Sequence, residues 1–284
     1  MIEIRHKETG AVLAKVDADA LAGADLRDMS LNGADLRGAD LRSANLQYSD
    51  LMHADLRGAN LQQAILLGAH LNHADLSGAD LSHARLGAET ASNAAMLSHA
   101  NLSGAKLIRA DLRRAEIRYA NLRGADLCRA DMRSTDFHGS NLCHVTARNA
   151  LLIKASLRET DLCEADLRDS HLNDANLVKA KLHKADLGSQ SRDGFTVLNL
   201  ANLEGADLRG AKLNRISAED ANFRNANLAD VDLSGAVLGG AILRRADVTN
   251  ANFEGVELAS VTMEFANFSQ ARNANIPAYK KNLR

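Results

Sequence analysis

Residues 24–61 read ADLRDMSLNGADLRGADLRSANLQYSDLMHADLRGANL. A leucine falls at every fifth position: Leu26, Leu31, Leu36, Leu41, Leu46, Leu51, Leu56 and Leu61. Two residues before each stands a small side chain, mostly Ala, and Asp or Asn stands between them. A repeat of this kind has to be read before anything else, because the rest of the fold follows from it.

A period of five fits neither ordinary element. On a helix, every fifth residue advances about 140° net, so the leucines would wind round all sides and leave no apolar face. On a straight strand, side chains alternate, so an odd period sends successive leucines to opposite faces. The pattern becomes consistent if the chain bends once per repeat. Ala and Leu, two apart, then share the inner face, Asp or Asn faces outward, and the two residues after Leu turn the corner. Successive turns of such a chain would stack about 4.8 Å apart, the spacing of paired strands.

The A(D/N)LXX pattern resembles the pentapeptide-repeat family, and the likeness covers nearly the whole chain. The resemblance implies an all-β fold: a right-handed quadrilateral parallel β-helix with four repeats per coil. The residues themselves require only a bend every five positions. About 51 repeats give about 12–13 coils and a rod of about 60 Å at strand spacing.

Composition agrees with a narrow interior of Leu and Ala. The 284 residues include 3% aromatics, no Trp and one Pro. Proline lacks the N–H that coil-to-coil bonding needs, and Pro277 lies past the last clear repeat. The N-terminus MIEIRHKETG is charged and has no apolar run, and no stretch approaches the length of a spanning helix. Three cysteines are an odd number and make no disulfide framework. A cytoplasmic setting is the expectation.

Residues 1–20 lie outside the repeat and read as a capping hairpin, with Ile2–Ile4 and Val12–Val16 flanking the turn at Lys7–Gly10. The repeat region spans 21–269, and 270–284, with Ile276, Pro277 and Tyr279, reads as a C-terminal cap or tail. Two slips interrupt the register. Leu86 to Leu97 and Leu187 to Leu198 are each eleven residues, which places one extra residue within 87–96 and another within 188–197. At four repeats per coil, this count puts both insertions on one side of the helix, about 24 Å apart. They are either tolerated bulges or paired docking features. In the second case the contact residues are Glu89 and Asn93 at the first, and Arg192, Asp193 and Phe195 at the second.

Function has to lie on the outer surface. Residues twenty apart stack, so Asp35, Asp55 and Asp75 form a column beside Arg37 and Arg57, and Asn101, Asn121 and Asn141 form another. The resemblance implies two further possibilities. Some family members bind DNA gyrase through a strongly negative, DNA-like surface and confer resistance to quinolones or toxins, and those members dimerise through their C-terminal ends. Phe253, Phe265, Phe268 and Tyr279 are then the candidates for a homodimer end. The net charge of −2, and a middle section holding Arg109, Arg113, Arg114, Arg118, Arg123, Arg129 and Arg133, argue against a phosphate mimic. Those cations are interleaved with acids and match no nucleic-acid reader, so direct nucleic-acid binding is not expected.

No catalytic motif stands in the sequence. There is no nucleophile elbow, phosphate-binding loop or HExxH segment, and Gly33, Gly38, Gly58, Gly68 and Gly78 fill the corner slot, as turn chemistry requires. Cys143, Cys163 and His183 occupy one slot on successive coils, and thiolate and imidazole are zinc ligands. A straight column does not wrap a tetrahedron, however. His53 and His73 also stack, with His70 near them. The reading is therefore a non-catalytic scaffold that binds a protein partner, with no cofactor and no metal. The gyrase-binding type is the alternative.

Overall fold

The structure is a computed structural model that describes residues 1–189 and 195–280. It forms two compact units, Met1–Val145 and Thr146–Arg284. Both are built from the same five-residue side, repeated four times per coil, and away from the two insertions a side pairs in parallel with the side twenty residues on, as Asp25 does with Asn45 and Asp35 with Asp55.

One repeat explains the consensus. Ala44 N–H donates to Leu41 O (3.0 Å) across the corner, Asn45 N–H to Ala24 O (2.9 Å) on the coil before, and Leu46 N–H to Ile65 O (2.8 Å) on the coil after. Tyr48 N–H donates to Leu67 O (3.0 Å). That leaves the N–H of Gln47, the first corner residue, and it donates to the side-chain Oδ1 of Asn45 at 3.2 Å. Every backbone donor of the repeat is paired, as buried backbone requires. The outward Asp or Asn supplies the one acceptor that the coils do not, through a local turn that only a short side-chain oxygen can close. The second corner residue lies in the left-handed region, whether it is glycine, as at Gly38 (φ 62°), or not, as at Tyr48 (φ 56°). A turn with positive φ at that position is the bend anticipated from the period of five.

The inner positions are sealed. Leu26, Leu31, Leu41, Leu46 and Leu51 are fully buried, with Ala34, Ala44 and Ala54 beside them. Where a hydroxyl replaces the small residue, it is bonded: Ser140 Oγ donates to Ile117 O (2.6 Å) and accepts from Ala120 N (2.9 Å).

In the first unit, β1 (Ile2–Arg5) and β2 (Val12–Val16) form an antiparallel hairpin. It lies against the open edge of the first coil. Asp35 N donates to Arg5 O (2.8 Å) and Lys7 N to Gly33 O (2.9 Å). In the second unit, the tail lies over the last coil. Lys280 Nζ donates to Val261 O (2.6 Å) and Leu258 O (3.2 Å), and Tyr279 Oη to Ala259 O (3.0 Å). Carbonyls at the end of the ladder thereby gain donors.

The insertions differ from the one-residue count. His70 pairs with Met96 and His171 with Val197, twenty-six positions apart where other coils have twenty. Each insertion is therefore six residues: one repeat plus one residue has left the wall. Counting modulo five cannot distinguish six from one. The inference that both insertions share a side rested on the smaller count and no longer follows.

Candidate interaction surface

At the first insertion, Ala95 N–H donates to Leu86 O (2.8 Å) and closes the excursion, whose outer part makes a 3₁₀ turn at Ala91–Asn93. Glu89 stands exposed and accepts from Arg113 Nη1 at 2.6 Å, while Arg113 also forks onto Asp111. Hydrogen bonds to the Asp111 and Glu89 carboxylates raise the Arg113 guanidinium further above its usual value. Burial acts to raise the Asp111 carboxyl, but its bonds from Arg113 outweigh that, and it sits below the usual carboxylate range. Gly87 is pressed against the next coil, where a Cβ would come 2.2 Å from Arg113 N. Asn93 ends the turn, exposed, with its N–H on Thr90 O (3.2 Å). This insertion is ion-paired and polar.

The second insertion is different in kind. Its foot is fixed: Ser189 Oγ donates to Asp169 Oδ1 (3.0 Å), and the buried Thr196 hydroxyl accepts from Asp169 N (2.9 Å). Arg192 and Asp193 lie outside the described residues. Phe195 stands 53% exposed at the edge of an open groove of about 540 Å³. Val197, Ile216 and Val237 form its apolar part, and Arg215 and Glu219 stand at its rims. Val197, Ser217 and Val237 follow one another on successive coils, in the slot that Asp or Asn usually fills. Of these lining residues, sequence reasoning had singled out only Phe195. The available signal was the pair of valines where the repeat asks for an acid or an amide.

The proposed dimer end divides. Phe253 is fully buried and Phe268 nearly so, with ring centroids 5.6 Å apart. They fill the interior of the second unit in place of Leu, so neither is a contact residue. Phe265 is exposed with Arg245 over its ring (5.9 Å), and Tyr279 is exposed with its hydroxyl on Ala259 O.

The Asp35, Asp55 and Asp75 column forms as expected, and each acid is matched. Arg37 forks onto Asp35 and lies 3.7 Å from Asp55; Arg57 forks onto Asp55 and lies 3.9 Å from Asp75. The same Asp-x-Arg fork recurs at Asp40–Arg42, Asp131–Arg133 and Asp207–Arg209. Alternating charge offsets the repulsion of stacked carboxylates, so the column is not a bare acidic stripe. The amide stack is observed at Asn101–Asn121 (3.1 Å).

His53 and His73 do stack, 5.0 Å apart, and the ladder continues to His99 (4.9 Å) and Tyr119 (5.3 Å). The six-residue insertion brings His99 rather than Asn93 beneath His73. Parallel rings point their nitrogen lone pairs side by side, not at one ion, so the ladder is a packing feature. In the second unit, Glu164 N–H donates to His183 O (3.0 Å), so Cys163 and His183 lie on adjoining coils.

A family model described as pentapeptide repeats matches eight segments, from residues 21–58 to 238–272. Among curated proteins, no sequence matches. Among solved structures, HetL, a pentapeptide repeat protein involved in heterocyst differentiation regulation in the cyanobacterium Nostoc sp. strain PCC 7120, is 34% identical over 75% of this chain and 86% of its own, with a TM-score of 0.29. QnrB1, a plasmid-mediated fluoroquinolone resistance protein, is 16% identical over 81% of this chain and 90% of its own, with a TM-score of 0.43. A thylakoid-lumen pentapeptide repeat protein of Arabidopsis thaliana is 22% identical over 41% and 63%, with a TM-score of 0.29.

Proposed function

Because the chain belongs to the pentapeptide-repeat family, whose fold is the right-handed quadrilateral β-helix, we propose that it is a non-catalytic scaffold that docks a protein partner on the outer face of its second unit. The observation that carries this reading is the groove at Phe195. There the repeat departs from its Asp/Asn rule and exposes Phe195 and Val237 beside the half-buried Val197, next to an insertion whose foot is held by part-buried hydrogen bonds. Exposed apolar side chains grouped in this way, rimmed by charge, are the usual mark of an interaction site. The first insertion, with Glu89 committed to Arg113, offers less.

The test is capture from the native host, compared across variants. Phe195→Ser with Val237→Ser should lose the partner bound by the unaltered chain, while Tyr48→Ser, an exposed aromatic of the first unit, should keep it. Equal capture by both variants removes the groove from the account. The gyrase-directed alternative draws on what QnrB1 is named for. Against it stand the arginines that neutralise the Asp column and the arginine-rich stretch from Arg109 to Arg133. Inhibition of DNA supercoiling, or rescue of gyrase from a quinolone, at micromolar protein would favour it.

A further inference from the structure

The Phe195 groove restricts what its partner can be. A strand cannot be added there. On this face Val197 N is bonded to Ser170 O (3.0 Å), Ser217 N to Thr196 O (3.0 Å) and Val237 N to Ile216 O (2.9 Å), while the carbonyls of Ser217 and Val237 accept from Leu198 and Ala218. With the backbone used up by the coils, a partner is recognised by side chains alone.

The charges at the rims are not equivalent. Glu219 is already engaged: Asn199 Nδ2 donates to its Oε2 (3.2 Å), and its own N–H donates to Asn199 Oδ1 (3.0 Å). Arg215 has no carboxylate partner among the described residues, in contrast to the arginines of the Asp-x-Arg forks. Its repeat reads Lys212-Leu213-Asn214-Arg215, so the arginine stands in the second corner slot, one place beyond the fork position, and the outward slot before it holds Lys212 instead of an acid. Its stem lies over Gly235, with Cγ 3.3 Å from where a Cβ would stand, beside the apolar floor. An uncommitted guanidinium next to exposed Phe and Val side chains complements a ligand that is apolar and anionic within one short span.

Resting on the docking reading above, we propose that the groove takes a short segment of a partner protein in which a large apolar side chain lies next to an acidic residue. The apolar group seats against Phe195, Val197 and Val237, and the carboxylate meets Arg215.

Fluorescence polarisation with the full chain tests this. The probes are two labelled ten-residue peptides that differ only in whether a central phenylalanine is flanked by aspartates or by lysines, with the phenylalanine-to-alanine form of the acidic peptide as a third. Binding of the acidic phenylalanine peptide alone is expected. Arg215→Glu should weaken it about three- to tenfold, the range of a rim charge pair, and should admit the lysine-flanked peptide. Phe195→Ser should abolish both. Equal binding of the two peptides, or no response to Arg215→Glu, overturns the proposal. Dissociation of a dimer by Phe195→Ser, read by sedimentation, would assign the groove to a second copy instead. If Phe195→Ser loses the native partner while Arg215→Glu keeps it, the docking site stands and the acidic segment falls.

Discussion

The usual corner places one residue at positive φ, the corner at Ala259–Ser260 being an exception. Glycine does this without strain, whereas an L side chain costs roughly 1 kcal/mol or more. The chain nonetheless uses His, Lys, Arg, Asp and even Leu200 and Phe265 there, because coil-to-coil bonding on both sides fixes the backbone. Two glycines separate the strain from the contact. Gly58 (φ 63°) has open space where a Cβ would stand, while Gly68 (φ 65°) is covered by the Tyr48 ring, 2.4 Å from that point. Gly58→Ala should cost about 1 kcal/mol. Gly68→Ala should cost roughly 1 kcal/mol more, because the ring must also leave its place. Urea unfolding of the two variants checks the difference; equal costs would show that Tyr48 contributes nothing by lying there.

At the level of the element, the backbone donors of a side and its corner are met by the side itself and by the coils before and after it, so its outer residues are free to vary and only neighbouring coils select them. The imidazole ladder is the clearest result of that freedom. His53, His73 and His99 hold parallel rings at about 5 Å, and Tyr119 closes the stack. His73→Asn keeps a residue that tolerates the left-handed corner and removes both stacking contacts, so it should destabilise the first unit by about 1–2 kcal/mol. Thermal unfolding of the variant, with Asn250, another corner residue, changed to Gly as a control, tests whether the stack contributes at all. An unchanged midpoint would reduce the ladder to coincidence.

Taken as a whole, the molecule carries its charge as local forks, and acid should act on all of them. A hydrogen bond from Arg27 holds the Asp25 carboxyl down at about 2. The forks from Arg37, Arg57 and Arg209 likewise hold Asp35, Asp55 and Asp207 below the usual carboxylate range. These groups bind protons more weakly folded than unfolded. Their contribution is therefore complete above the unfolded value of about 4 and is lost as pH falls through the lower folded values. Urea midpoints should stay level from about pH 7 to 5 and fall below about pH 4. Replacing Arg37 and Arg57 by Gln should shallow that fall, and an identical acid limb would deny the forks any part in it.

The sequence by itself determined the side, its inward Leu and Ala, its corner, and the family to which the repeat belongs, because a period of five leaves a buried chain no other way to turn its leucines in. It also located both irregularities and singled out Phe195. It could not size them, since an excursion of six residues and one of a single residue leave the same phase. Only the paired coils show His70 against Met96 and His171 against Val197. For the same reason, the stack of His73 on His99 and the Val197–Ser217–Val237 face were illegible: which residues become neighbours depends on how many leave the wall between them. The phase of the repeat itself turns Phe253 and Phe268 inward in place of Leu, and their burial agrees, while Phe195 and Phe265 stand outside. Tertiary structure settled what touches what across the coils, because those contacts are set by stacking and not by the local pattern.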